Sequence, residues 1–377
     1  MFQAINVKQD KAQVKIIWDE LFQSSNNSFF ISWAWVDTWL GSLPSTISIK
    51  LFVVYQGKQP LLAFLVGGPS CYKPNILSIH VGSVGATGDY DIDDIVIERN
   101  GILVSKSMPV KSVSWVDIFK TLDIDKINLP SISDESIEEL EKYLQSGSWR
   151  VSSTSIPAYY VCLEKVRKSE GGYLSLLSAN KRRQIKKSIS IYSCQGGVQV
   201  ELAADVVSAL ILFDRLVVLH QKEWIRRDKS GAFSNDYILN FHKSLIKDHY
   251  RSGNIRIYHL YNDAGTIGIV YGFISQNDFL YYQSGFHYGK DNRCKPGLSC
   301  HSSLIEIMAD EGLRRYDFLA GDVQYKRSLG TDSYKALDLE FYSDSIKSKM
   351  HFMVYKVIKK QLKNLLSQVK RIGERKP

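Results

Sequence analysis

The sequence predicts a mixed α/β (α+β) protein of two similar halves, each a mostly antiparallel sheet flanked by helices. Three observations lead there. An apolar strand–turn–strand, Ile49–Val66 around Gln56-Gly57-Lys58, recurs as Ile255–Ser275 around Asn262-Asp263-Ala264-Gly265. Each hairpin is followed by a further β-rich run, Ile76–Val84 and Phe279–Tyr288. Each is preceded by helical material, around Trp33–Leu40 in one half and Val206–Trp224 in the other, where apolar residues recur at helical spacing. One plan used twice suggests duplication, and 377 residues exceed what a single ordinary core organises.

Between the halves, Lys126–Trp149 reads as a strand followed by a short helix, with Ser131, Ser133 and Asp134 as candidate caps. A boundary near residue 165 carries no low-complexity linker, so two closely packed domains are expected, 1–165 and 166–346. The remainder, 347–377, predicts a basic amphipathic helix. Met350, Val354, Ile358, Leu362, Leu365, Val369 and Ile372 recur every three or four residues, with lysines on the other faces. Such a helix either docks on the body or makes a peripheral contact with a membrane surface or RNA.

Composition narrows the function. Hydrophobic residues at 44% and charged residues at 23% describe a globular chain, not a disordered one. The net charge of +9 resides in the tail, where ten basic residues from Lys347 onward face Glu374 alone. The body is neutral, which argues against a nucleic-acid-gripping protein. Five cysteines, odd in number and without a CxxC pair, point to a reducing compartment and against a disulfide framework or a zinc site. The first twenty residues include Lys8, Asp10, Lys11 and Lys15 and do not resemble a signal peptide. Apolar runs such as Ile267–Ile274 fall far short of the roughly 20 residues a spanning helix needs. A cytoplasmic location is therefore expected. No metal is expected either: the Asp89–Asp94 run has Asp94 where a calcium loop needs Gly, and Asn100 where it needs Glu.

The stretch Phe279–Lys326 carries the chemistry. It reads as a strand (FLYYQSGFHY), a loop (GKDNRCKPG), a helix (LSCHSSLIEIMADEG) and a second strand (YDFLAG). A strand running through a Gly-containing loop into a helix makes an anion site. The N–H groups of Gly297, Leu298 and Ser299 would lack helical partners, and the helix dipole favours negative charge there. Pro296 suits the first helical position, and Arg293 and Lys295 add charge. A pyrophosphate fits such a site; an ordinary strand-to-helix turn with a solvated basic loop is the alternative.

Several short motifs run in order along the chain. They are Phe29-Phe30-Ile31-Ser32-Trp33, Gly88-Asp89-Tyr90-Asp91, the basic Lys181–Lys187 helix, Leu219-His220-Gln221-Lys222-Glu223-Trp224, Pro296-Gly297, and Tyr316–Asp322 leading to Tyr325-Lys326. In this order they resemble the GNAT superfamily of N-acyltransferases, specifically its FemAB/CelD-like branch of tandem GNAT domains. The resemblance implies that Phe279–Tyr288, including Tyr282, Gln283 and Ser284, is the strand alongside the pantetheine arm of an acyl-CoA. It implies that Pro296–Ser299 cradle the pyrophosphate, with Arg293, Lys295, Tyr325 and Lys326 also on the CoA side. The spacing from Arg293 to Gly297 is one residue longer than the GNAT fingerprint, and its last small residue is Ser299.

Acyl transfer to an amine needs a polarised carbonyl and a proton acceptor. No G-x-S-x-G elbow or Cys/His signature suggests a covalent nucleophile, so direct attack is the simpler route. Asp89, Asp91 and Asp93 alternate, so an extended segment would place their carboxylates on one face and raise a pKa. Asp89 is the first candidate base, with Tyr90 and Asp91 beside it. His220, four residues before Trp224, is either base or structural. Asp322 after the second strand is either catalytic or a turn cap. Lys181, Arg182 and Arg183 form either a solvated face or a clamp for a phosphorylated acceptor. Trp33, Trp224, Tyr90 and Asp91 complete the expected acceptor contacts. The expected activity is acyl-CoA-dependent N-acylation of an amino sugar, nucleotide-linked, in bacterial surface-polysaccharide and lipopolysaccharide synthesis. Two alternatives stand beside it: a Fem-like transferase using aminoacyl-tRNA on a peptidoglycan precursor, and a non-catalytic polysaccharide-synthesis partner at the membrane.

Overall fold

A computed structural model describes the chain except for residues 25–27, 73–77, 94, 96, 146–149 and 358–377. Its strands are β1 (Phe2–Asn6), β2 (Ile49–Gln56), β3 (Gln59–Tyr72), β4 (Ile79–Val84), β5 (Leu103–Val104), β6 (Lys126–Ser133), β7 (Arg150–Cys162), β8 (Gln199–Leu202), β9 (Ile255–Asn262), β10 (Gly265–Ser275), β11 (Asp278–Phe286), β12 (Arg315–Ala320) and β13 (Asp332–Tyr342). They form one sheet in the order β1-β2-β3-β4-β6-β13-β7-β12-β11-β10-β9-β8, with β5 on β3.

The two ends of that order mirror each other. β1 to β4 pair antiparallel, as do β8 to β11. β4 then runs parallel to β6, and β11 parallel to β12. Residues 49–84 and 255–288 therefore occupy equivalent positions, and the predicted hairpins close as expected at Gln56↔Gln59 and Asn262↔Gly265. The helices repeat too: Lys11–Ser24 and Trp33–Ser42 lie between β1 and β2, Val206–Arg226 and Asp236–His249 between β8 and β9.

At the centre the halves exchange strands. β7 follows β6 in sequence but pairs with β12 and β13; β13, the last strand, pairs with β6 and β7. The β7–β13 ladder runs unbroken from Asp332↔Tyr160 to Tyr342↔Arg150. Each half thus completes the other's sheet, and neither presents an unpaired edge at the seam.

The core crosses the seam as well. Phe29 stacks on Phe273 with ring centroids 4.3 Å apart, and Phe30 meets Phe273 edge-on at 5.6 Å and Tyr282 at 5.8 Å. The Phe29–Trp33 motif is therefore a packing bridge between the halves. Trp33 sits at the start of its helix with the Lys15 ammonium 5.4 Å from its ring centre.

The last described helix, 346–357, differs from expectation in its orientation. It docks through His351 and Phe352 on Tyr342, with ring centroids 6.1 and 5.0 Å apart. Met350 and Val354, the start of the predicted apolar stripe, face outward with Ile346, Met353 and Val357. Aromatic packing on Tyr342 sets the phase, and the stripe follows on the open side. The stripe from Ile358 onward lies outside the described residues. No helix of the described residues is long and apolar enough to cross a membrane.

Candidate functional site

β11 and β12 pair in parallel only over Asp278–Leu280 with Arg315–Asp317. Two local distortions follow that point. In β11 the register with β10 passes from Gly272↔Tyr281 to Tyr271↔Gln283, so Tyr282 is the extra residue of a β-bulge. In β12, Leu319 adopts a left-handed conformation (φ 62°), and its N–H donates to Asp317 Oδ1 at 2.7 Å. Where pairing stops, a cavity of about 550 Å³ is lined by Tyr281–Ser284 on one strand, Phe318 and Leu319 on the other, and Lys295, Gly297 and Leu298 at one end.

That end is the start of the Pro296–Asp310 helix, with Pro296 in the first turn as expected. Ser299 differs from the expectation. Its N–H donates to Lys295 O at 3.0 Å, and its buried hydroxyl donates to Ser188 Oγ at 2.8 Å. The N–H groups of Gly297 and Leu298 precede any helical acceptor and are the ones left open at this helix start. Gly297 is constrained by packing: an added Cβ would lie 3.2 Å from the Phe286 ring.

The basic residues divide. Lys295 lines the cavity, and burial together with the nearby Lys295 charge pushes Lys181 below its ordinary pKa, so these two converge. Arg293 turns away to a bidentate pair with Asp291 at 2.9 and 2.7 Å. Arg183 bonds Asn180 on its own helix at 3.1 Å. Neither Arg182 nor Arg183 lines this cavity.

On the opposite wall, the Val206–Arg226 helix lies directly on β11. Gly285 permits this approach, since a Cβ there would meet Leu216 O at 2.5 Å. The contact brings His220 and Trp224 to the cavity. His220 Nδ1 lies 3.1 Å from Ser284 O; with a carbonyl there, Nδ1 carries the proton and Nε2 is an acceptor. Nε2 is buried without a hydrogen-bond partner among the described residues. Desolvation lowers the His220 pKa, so the ring is neutral near pH 7.

The far end holds a residue that sequence reasoning missed. Glu98, 8% exposed, lines this cavity and also a second one of about 520 Å³ on the first-half side. Its Oε2 accepts from Ala320 N at 3.2 Å and Ser131 Oγ at 3.5 Å. Lys326 stands nearby, its Nζ donating to Ala320 O at 2.5 Å, and its pKa is lowered chiefly by burial. Desolvation, partly offset by Lys326, pushes Glu98 up from 4.5 to about 7. The native state then holds this proton more tightly than the unfolded chain, so stability falls as pH rises from about 4.5 to about 7. Glu98→Gln removes that loss. Thermal melts are expected to show the variant more stable than wild type at pH 8, by on the order of 2–3 kcal/mol, and equal to it near pH 4.5.

The other expected bases lie elsewhere. Tyr90–Asp93 is a helical turn, not an extended segment, so the three alternating aspartates do not all share one face. Asp89 is exposed and accepts from Asp91 N at 3.0 Å; Asp91 is also exposed. Asp93 turns inward to accept from Thr87 N and Gly88 N at 2.7 and 2.6 Å, and it lines the second cavity. The side chain of Tyr90 lies outside the described residues. Asp322 is an exposed ion-pair partner of Arg327, with Tyr159 OH donating to it at 3.5 Å. Trp33 is partly buried against the core and does not line the cavity. Tyr325 and Lys326 both line the cavity. No group of three or more His, Cys, Asp or Glu side chains among the described residues could hold a metal ion.

Comparison with known proteins gives this arrangement its context. Residues 179–327 match the family described as the Acetyltransferase (GNAT) domain. Among solved structures, FemX is similar with a TM-score of 0.55 at 8% identity, over 90% of this chain and 98% of that one. A tandem GNAT protein from the clavulanic acid biosynthesis pathway gives a TM-score of 0.45 at 9% identity, over 92% and 100% of the two chains. The C-terminal domain of a putative lysylphosphatidylglycerol synthetase from Agrobacterium fabrum gives 0.47 at 10%, over 92% and 96%. No curated protein matches the sequence.

Proposed function

We propose, from the premise that this chain is a GNAT-superfamily acyltransferase with a FemAB-like tandem fold, that it transfers an acyl group from acyl-CoA to the amine of an amino sugar. The observation that carries the reading is the single cavity joining the open helix start at Gly297–Leu298 to the Glu98–Lys326 pair. Gly297 and Leu298 N–H groups, with Lys295 and Lys181, suit a pyrophosphate. The bulged β11 and its Tyr282–Ser284 backbone suit the amides of a pantetheine arm. Lys326 is the cation that would steady negative charge on the thioester oxygen during attack. His220, neutral and with Nε2 open, suits a hydrogen-bond donor on either substrate.

Asp89 and Asp322 take no part in this reading, being exposed and outside the cavity. A nucleotide-linked acceptor would find further cations at Arg182 and Arg183, on the same helix as Lys181. The neutral body favours CoA over a tRNA donor.

The test is free-thiol release with a panel of acyl-CoAs and free or nucleotide-linked amino sugars. Acyl-CoA consumption that depends on an amino sugar and survives ribonuclease supports the reading. Transfer that occurs only with aminoacyl-tRNA, and is lost on ribonuclease treatment, overturns it in favour of the Fem-like alternative.

A further inference from the structure

The two cavities touch at one side chain. The first is the CoA-side opening between β11 and β12. The second is lined by Ser83, Asp93, Asn128, Ser131 and Asp338 from the first half and the central strands, together with Ala320 and Gly321. Glu98 lines both. We propose that Glu98 is the catalytic carboxylate that holds the acceptor's amine, entering from the second cavity, and takes its proton as the acyl group crosses from the first. This rests on the acyltransferase reading above.

The backbone around Glu98 is shaped for this placement. Arg99 (φ 47°), Ser131 (φ 54°) and Leu319 (φ 62°) all adopt the left-handed region, which costs a non-glycine residue roughly 1–2 kcal/mol. One follows Glu98 in the chain, one donates to it, and one precedes the Ala320 N–H that donates to it. Strain of this kind persists where the surroundings over-determine it, and it gathers at functional sites. Arg99 turns to the other side and anchors the segment on the second half, reaching Asp278 at 3.2 Å and Asp317 at 2.8 Å. Glu98 is thereby contributed by the first half and fixed over the second half's cavity.

The second cavity suits a cationic amine. Asp93, Glu98 and Asp338 give it three carboxylates, and no Lys or Arg among the described residues lines it. Asn128 Oδ1 also faces it as a buried acceptor without a hydrogen-bond partner among the described residues. An amine that donates has acceptors waiting.

In the reaction the bound ammonium first releases one proton to solvent; the neutral amine nitrogen then bonds to the thioester carbonyl carbon, and the C–S bond breaks with its electron pair on sulfur. Glu98 takes one proton from the attacking nitrogen, and that proton passes on to the thiolate. The carboxylate is restored, and the products are an amide and free CoA thiol.

The groups facing Glu98 are Lys326, which favours its ionised form, Asp317, which disfavours it, and the Tyr282 and Tyr334 hydroxyls. Asp93 and Asp338 share its second cavity. In that setting the carboxyl is held near 7, where a base for neutral-pH chemistry is most effective.

The test compares wild type, Glu98→Gln and Glu98→Asp by thiol release from acetyl-CoA with the amino-sugar panel, alongside calorimetric CoA affinity. Glu98→Gln is expected to lower kcat by about 10²-fold or more with CoA affinity unchanged. It should also lose the rise of kcat/KM through pH 7, and Glu98→Asp should recover part of that rise. A Glu98→Gln enzyme within tenfold of wild type, with that limb intact, overturns the role of Glu98 while leaving the acyltransferase reading standing. A wild type that releases no thiol with any amine overturns both.

Discussion

Arg99→Met is expected to destabilise the protein by about 3–5 kcal/mol, because it leaves buried carboxylates without their cation. Asp278 and Asp317 have fully buried side chains. Arg99 joins them, and Tyr334 OH donates to Asp317 at 3.2 Å. Arg314 covers Asp278 from outside at 2.8 Å, but among the described residues Asp317 has no second ion-pair partner within 4 Å, Lys326 acting on it only from farther off. Asp317 therefore carries most of the loss, and Asp317→Asn in the Arg99→Met background should recover stability instead of adding to the damage. Urea unfolding at pH 7 reads both effects as a shift in midpoint at constant slope. A single-variant loss below about 1 kcal/mol would mean that the network is solvated and does not hold the seam.

Lys326→Met is expected to lower kcat by about 10²–10³-fold with little change in CoA affinity, the pattern of a group that acts mainly in the transition state. Its ammonium sits at the cavity end beside Glu98 and is tethered by the Ala320 and Leu319 carbonyls at 2.5 and 3.5 Å. Removing the cation also removes the group that offsets Glu98's desolvation, so the alkaline-going rise in rate should move to higher pH. Steady-state kinetics from pH 5.5 to 9 checks both. Equal losses in kcat and CoA affinity would instead assign Lys326 to ground-state binding.

Local order was legible where local physics decides it. Apolar runs around Gly57 and Gly265 marked the hairpins, and Pro296 after a basic loop marked the helix start that frames the cavity. The strand exchange was not legible. β7 and β13 carry ordinary strand patterns, and nothing in either names its partner across the seam. Asp89 to Asp93 misled for a local reason. Alternation suggests an extended run, yet Asp89 and Asp93 accept from backbone N–H groups and turn the segment into a helical cap. Glu98 was overlooked because a single acid after Ile95–Ile97 reads as the polar end of a strand. Its one signal was Arg99 beside it, a pair of opposite charges closing an apolar run, and only the fold shows the two side chains serving opposite sides of the segment.

The proposed reaction requires CoA in the opening between β11 and β12, and calorimetric titration of CoA into wild type and Gly297→Asp tests that most directly. Gly297→Ala, which places the same Cβ against Phe286 without a charge, separates packing from electrostatics. The predicted result is saturable binding to wild type, binding within a few-fold for Gly297→Ala, and at least ~100-fold weaker binding for Gly297→Asp, whose carboxylate would sit where the pyrophosphate charge is received. Gly297→Asp binding CoA as tightly as wild type, or a wild type that does not bind CoA, would contradict it.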